Sequence, residues 1–293
     1  MNERRVWLIL LVVPPLLWAG NALVGRAVVG RMDPVELSFW RWLVALAVLL
    51  PFTARSLAAH ARTLVAHWPA VTVMGLCSVG AYNTLLYMAM HTTTAINATL
   101  MGACMPLLIL VLARLWLNDP IRPAQMVGIA VSACGMLAVV TRGDPARLLG
   151  LALTPGDGLM VLATLAWAVY SVMLRRFALP VPGITLLTAF IVVGLAALTP
   201  FYLIIGAPLP RGDGWTWAAI LYTGLFASLV AFHFWNRGVA AVGAATAGQY
   251  SYLIPLFTAL MAIPLLGEQF HWYHALGGGL IFAGLFLATK RMA

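Results

Sequence analysis

Five polar side chains stand inside long apolar runs of this sequence: Asn21, Asn83, Asn97, His233 and Gln249. An amide or imidazole in hydrocarbon lacks partners, so such groups turn toward a bundle interior or a water-filled cavity. Hydrogen bonding between neighbouring helices is the alternative role. Large side chains accompany them. Trp18 and Asn21 share one helical face, and Asn97 and Met101 share another. Tyr82 adjoins Asn83, Tyr250 adjoins Gln249, and Trp167 and Tyr170 lie together further along. Neutral amides among apolar and aromatic walls are the chemistry of a small-molecule binding site.

Catalytic chemistry has little to build on. No carboxylate lies deep in a run, so a proton relay of Asp and Glu is missing. His233 is the single histidine well inside one, and G-x-S-x-G and paired metal-spaced histidines are absent. Ser78, Ser171, Ser228 and Ser251 have no neighbouring base in sequence, which leaves an intramembrane enzyme as a remote alternative. Cys77, Cys104 and Cys134 have no metal-ligand spacing and read as small core residues. The sole lysine, Lys290, excludes a Walker-type phosphate loop and with it an ATPase. The expectation is therefore no catalytic residue, no metal and no cofactor.

The elements that carry these residues are membrane spans. The chain has 293 residues, 63% hydrophobic and 9% charged, with mean hydropathy +0.97. A soluble domain has about 25% charged residues. Ten runs suit a bilayer of ~30 Å hydrocarbon. They are Val6–Val29, Val35–Thr53, Pro69–Met90, Thr93–Leu117 and Pro123–Thr141, then Gly158–Leu174, Ile184–Gly206, Trp215–Asn236, Gly243–Leu266 and His271–Thr289. Residues 54–68 read either as a surface-lying helix or as a solvated loop. Trp68, Trp215, Trp217 and Trp272 stand at span ends, as interfacial anchors do.

Subtracting 149 from the second half recovers the first. Pro255 falls on Pro106, Trp167 on Trp18, Arg175 on Arg26, Trp217 on Trp68, Gly277 on Gly128 and Gly284 on Gly135. Apolar matches are cheap in such a chain, but matched Trp, Pro and Arg at one offset are not, so the chain reads as an internal duplication. Asn97 and Met101 have Thr246 and Tyr250 as mates; Trp18 and Asn21 have Trp167 and Tyr170. Pro106 and Pro255 read as structural kinks, and the donor that Pro255 removes inside its span makes the ninth span one that faces a cavity.

Each copy holds five spans, an odd number, so the second copy enters the membrane from the opposite side. The fold class expected is an all-α integral membrane protein, with ten transmembrane helices as two inverted five-helix repeats (5+5) around a central cavity. The repeats are drawn at residues 1–149 and 150–293. Inverted repeats are a mark of secondary transporters with a site between the halves. That site is expected between spans one, three, four, six, eight and nine. Arg4, Arg5, Arg55, Arg62, Arg114, Arg122, Arg175, Arg176, Arg237, Lys290 and Arg291 fall on one side, against Arg26, Arg31, Arg142, Arg147 and Arg211 on the other. The bias puts both termini in the cytoplasm. The net charge of +9 thus serves topology and points to no nucleic-acid partner. Asp119 and Glu268 sit just past span ends, as caps or loop ion pairs.

The motifs also resemble the drug/metabolite transporter superfamily, and within it the ten-helix EamA type. The first span ends LLWAGNALVGR, and Pro34 with Arg41 follows. The fourth span carries MPLLILVLARLWLND and the ninth IPLFTALMAIPLLGE, with Gly128, Gly135, Gly277 and Gly284 in the closing helices. Asn118-Asp119 departs from the family's Gly-Glu. The resemblance implies export of amino acids and related metabolites, aromatic amino acids included, across the inner (cytoplasmic) membrane by a functional monomer with a small-molecule substrate and the lipid bilayer as its partners. The bacterial aromatic amino-acid exporters are the nearest type. A nucleotide sugar or a cationic drug is the alternative cargo. The first calls for several basic residues in the cavity, with Arg41 alone available, and the second for a carboxylate. Arg41 itself is read as reaching headgroups or structuring a helix end, rather than meeting a substrate carboxylate.

Overall fold

The computed structural model describes residues 3–206, 210, 213–266 and 269–289. Among the described residues the chain is 84% helical and has no strand. Among the described residues nine helices are long and apolar enough to cross a membrane: Glu3–Ala27, Pro34–Ala59, Trp68–Ala89, Asn97–Leu117, Pro123–Val140, Pro155–Phe177, Gly183–Ile205, Gly214–Val242 and Trp272–Thr289. A further segment, residues 244–266, is broken within and supplies the ninth of ten spans. Phe52, Leu203, Ile204 and Phe286 stay exposed on the outside of the bundle, where only lipid could cover them.

Local chemistry sets the ends. Asp33 accepts from the Val35 amide at 2.7 Å and Pro34 opens the second span. Asp213 accepts from the Thr216 amide at 2.8 Å, and hydrogen bonding by Thr216 holds its carboxyl below the usual carboxylate range. The fourth span ends at Asn118 in the left-handed conformation, φ 55°. Asp119 follows it, while Glu268 lies outside the described residues. Residues 61–66 form a short helix, the first of the two readings left open for the longer connection, after the second span has run on to Ala59. Trp68 and Trp272 are well exposed at their span ends, as anchors would be, whereas Trp217 packs inward against Trp40 at 6.1 Å. Cys104 and Cys134 are exposed and so are not core residues, whereas Cys77 is half-buried and packs against the core.

The two halves are related by an axis that the contacts locate. Ser132 donates to the Ile281 carbonyl at 3.2 Å, and Tyr252 donates to the Ala103 carbonyl at 3.2 Å. Each pair is 149 residues apart, so each residue touches its own repeat mate and sits beside the axis. Away from it, mates exchange partners. A Cβ on Gly128 would lie 2.6 Å from the Gly284 carbonyl, and one on Gly135 would lie 2.6 Å from the Gly277 carbonyl. Only glycine lets the fifth and tenth spans approach this closely. Phe39 stacks on Tyr202 at 4.2 Å, and the corresponding mates Thr188 and Thr53 are hydrogen-bonded at 3.1 Å. The fold is ten transmembrane helices in two inverted five-helix repeats around a central cavity.

Candidate functional site: a cavity between broken helices

Besides the first span, which turns at residues 11–12, four spans are irregular near their middles, two in each half at matching positions. The third span passes through a π-helical stretch at Leu76–Ala81, and the eighth through one at Tyr222–Val230. The fourth span breaks between Gly102 and Met105, just before Pro106. The ninth breaks into a 3₁₀ turn, Gln249–Tyr252, just before Pro255. Proline removes the amide that would bond back across each break, and it disfavours helix in the residue before it. The breaks expose backbone groups that only protein or a cavity can satisfy.

A cavity of about 740 Å³ lies against three of these four breaks. That is the size of a small-molecule site. Trp18 and Asn21 of the first span, Tyr82 of the third, and Ser251 and Tyr252 of the ninth line its deep part. Met105, Met136, Val139, Met160 and Pro255 supply apolar wall. The fifth and tenth spans take part through Met136 and Tyr273, and the eighth does not reach the lining. Arg26, Arg142 and Arg147 line the mouth, which is the bundle end opposite the termini. Arg147 lies 3.9 Å from Asp144. No carboxylate lines the cavity among the described residues.

Below the cavity the bundle is shut. Trp18 meets Trp167 at 4.9 Å and Trp235 at 5.3 Å, and Tyr82 meets Trp167 at 4.8 Å. Hydrogen bonds then tie the halves together toward the terminus end. Trp18 Nε1 donates to the Ala227 carbonyl at 3.0 Å, Tyr222 donates to Leu17 at 2.9 Å, and Tyr250 donates to Leu8 at 2.7 Å. The cavity is thus open at one end and sealed by aromatic packing at the other.

Arg41 departs from the role read for it in the sequence, that of reaching headgroups or structuring a helix end. It is fully buried at the level of the floor, and it neither reaches headgroups nor caps a helix. Its Nη1 donates to Asn21 Oδ1 at 3.0 Å, to Asn83 Oδ1 at 2.9 Å and to the Tyr87 hydroxyl. Nε and Nη2 donate to Ser228 Oγ at 3.0 and 2.7 Å. Ser228 belongs to the π-helical stretch of the eighth span, so one guanidinium joins the two halves.

The other named residues disperse. Trp18, Asn21 and Tyr82 meet at the cavity, whereas Asn83 and Trp167 form the layer behind them. Tyr170 is fully buried and donates to Asn236 at 2.5 Å. Met101 is partly buried outside the lining and packs against the buried cluster that includes Leu86 and Met160. Asn97 serves the start of the sixth span, donating to Asp157 Oδ2 and the Ala152 carbonyl, both at 2.9 Å. Gln249 is fully buried, and neither of its amide atoms has a partner. His233 is exposed and lines a separate recess at the terminus end, beside Asn236 and Arg237. Histidine does reach the main cavity, but as His274 near the mouth. A buried carboxylate exists too. Asp157 is 3% exposed, and Thr93, Asn97 and the Thr154 amide saturate it. It lies one residue before the apolar run as drawn from the sequence and caps the sixth span.

Comparison with known proteins agrees with this architecture. The EamA-like transporter family matches residues 5–141 and again residues 154–290. An uncharacterized transporter of Archaeoglobus fulgidus is 28% identical over 288 residues, covering 97% of both chains. The aromatic amino acid exporter YddG of Ancylobacter novellus is 29% identical over 198 residues, 67% of each chain. A solved crystal structure superposes with a TM-score of 0.79 at 24% identity, covering 98% of this chain and 97% of that one, and it shows the same fold. This chain, a multi-pass membrane protein built from two copies of one five-helix unit, belongs to the EamA-like transporter family.

Proposed function

We propose that this transporter exports amino acids, neutral and aromatic ones foremost, together with related small metabolites or drugs. The observation that carries the reading is the cavity itself. It is small-molecule sized, walled by Trp18, Tyr82 and methionines, and given a few placed polar groups by Asn21, Ser251 and Tyr252. The similarity to an aromatic amino acid exporter supports the same cargo. Residues 1–149 and 150–293 act as the two halves, and rocking one on the other moves the cavity's opening between sides. The excess of basic residues at the terminus side supports cytoplasmic termini, and with them the cavity faces outward across the cytoplasmic membrane. Trp18, Asn21 and Tyr82 hold the cargo in this state. Asn83, Asn97, Met101, Trp167, Tyr170, His233, Gln249 and Tyr250 belong to the walls that move or become exposed as the halves exchange. Transport needs no ATP and no carboxylate relay, and the cargo gradient drives it in a single chain.

Counterflow in liposomes across the twenty amino acids and a nucleotide sugar tests this. Exchange of phenylalanine and other neutral amino acids is expected, and competition by the sugar but by no amino acid would overturn the assignment. A phosphate-bearing cargo is the second reading, because Arg26, Arg142 and Arg147 at the mouth would draw in any anion.

A further inference from the structure

We propose that the cavity floor is a carboxylate subsite, in which buried Arg41 supplies the charge and Asn21 presents it to the cargo. The proposal rests on the cavity being the cargo site and adds what part of the cargo the floor recognises.

Arginine keeps its charge at every pH a protein meets. Burying that charge is costly unless a counter-charge accompanies it. Arg41 has none. Every hydrogen-bond partner is neutral: two amide oxygens, a phenol and a serine hydroxyl. Its ring neighbours are Trp42 at 5.3 Å and Tyr87 at 5.8 Å, and the ionisable groups that act on it are the phenols of Tyr82, Tyr87 and Tyr222. The cation is solvated by dipoles and left electrostatically open.

One of those partners reaches the cavity, and that is Asn21. Its orientation is fixed. Oδ1 accepts from Arg41 at 3.0 Å and from the Tyr87 hydroxyl at 2.5 Å, which uses both lone pairs. The amide must therefore turn its NH₂ edge the other way. One of those hydrogens makes a long 3.4 Å contact to Asn83 Oδ1. The second is left for whatever stands in the cavity. It is a donor polarised by a cation directly behind it, and Tyr82 adds a hydroxyl to the same lining. Donors backed by a positive charge select an anion, and the aromatic wall beside them selects a flat apolar group. A carboxylate attached to an aromatic side chain satisfies both. Arg41 acts through Asn21, so it is a positioning residue and stays out of contact with the cargo.

The test begins with the unmodified protein in liposomes loaded for phenylalanine counterflow. Competitors share the ring and differ in the polar end: phenylpropionate, phenylalaninamide, phenethylamine and phenyl phosphate. Phenylpropionate is expected to compete on the order of ten- to a hundred-fold better than the amide or amine, the value of a charge-assisted hydrogen bond. Asn21→Asp then gives Arg41 an internal carboxylate in the same shape. It is expected to fold, to lose phenylpropionate competition, and to narrow or invert the preference over phenethylamine. Arg41→Lys should restore part of the carboxylate preference that Arg41→Gln loses. Equal competition by acid and amide, or an unchanged preference in Asn21→Asp, would overturn the proposal. So would stronger competition by phenyl phosphate than by phenylpropionate. If no amino acid is transported at all, the cargo reading fails while the subsite remains measurable. Thermal stabilisation of the purified protein by phenylpropionate but not phenethylamine would then support it, and the reverse would overturn it.

Discussion

The same place occurs twice in this molecule, and its two versions differ in charge. In the first half, Tyr87 donates to Asn21 at 2.5 Å. In the second, Tyr170 donates to Asn236 at 2.5 Å. Tyr170 is the repeat mate of Asn21 and Asn236 is the mate of Tyr87, so the bond survives with its partners exchanged. Around it everything else has changed. Arg41 has Phe190 as its mate and Asn83 has Phe232. Tyr170 meets these rings at 5.9 and 6.1 Å, where Tyr87 and Asn21 meet a guanidinium. Packing geometry tolerates little change, so duplication kept the scaffold. The polar content was free to diverge, and one half became a charged floor while the other became an aromatic plug.

The largest test of that difference is Arg41→Leu against Phe190→Leu. Loss of the charge should lower phenylalanine counterflow on the order of ten- to a hundred-fold at equal protein abundance. The aromatic change costs packing, about 1 kcal/mol, and should leave transport within a few-fold. Equal losses would mean that the two sites are both merely structural.

Next comes the symmetry itself. Gly135→Ala and its mate Gly284→Ala each force a methyl to within 2.6 and 2.5 Å of a facing carbonyl. Each should cost about 1–3 kcal/mol of stability, read as a lower unfolding temperature in detergent. Gly279→Ala meets nothing within 4 Å and should not lower it. A neutral result at both mates would remove the close approach of the fifth and tenth spans from the account.

A smaller contrast sits at the conserved bond geometry. Tyr170→Phe removes one buried hydrogen bond and should cost about 1 kcal/mol. Tyr87→Phe also removes a partner of Arg41, so its cost should be larger, about 1.5–3 kcal/mol. The smallest effect is expected at His233. It lies outside the cavity, so His233→Gln should leave uptake and its response to a pH gradient unchanged. A gradient dependence that this change abolishes would make His233 a proton carrier.

The inversion was legible because it is written in rare residues at one offset: Trp18 and Trp167, Pro106 and Pro255, Gly128 and Gly277. The breaks of the fourth and ninth spans were legible from the same prolines. The floor was harder to read. Arg41 gathers Asn21, Asn83, Tyr87 and Ser228 from three other spans, and no spacing along the chain announces such convergence. The π-helical stretches add to the difficulty, since each shifts the face of a span by about a residue. In the ninth span the 3₁₀ turn aims Ser251 and Tyr252 at the cavity and leaves Gln249 buried and unpartnered. Helical periodicity carried through that turn points elsewhere. Asp157 was missed for a simpler reason, because an apolar run ends before the polar residues that cap its helix.

The central claim is a cargo cavity whose access alternates, caught here open on the side opposite the termini. Labelling of one cavity residue from each side tests it most directly. In a protein with Cys77, Cys104 and Cys134 replaced, Thr99→Cys puts a single thiol in the lining. A membrane-impermeant maleimide added to intact cells should label it, phenylalanine should slow the labelling, and inside-out vesicles should label it only slowly. Fast labelling from the terminus side alone, indifferent to phenylalanine, would contradict the account.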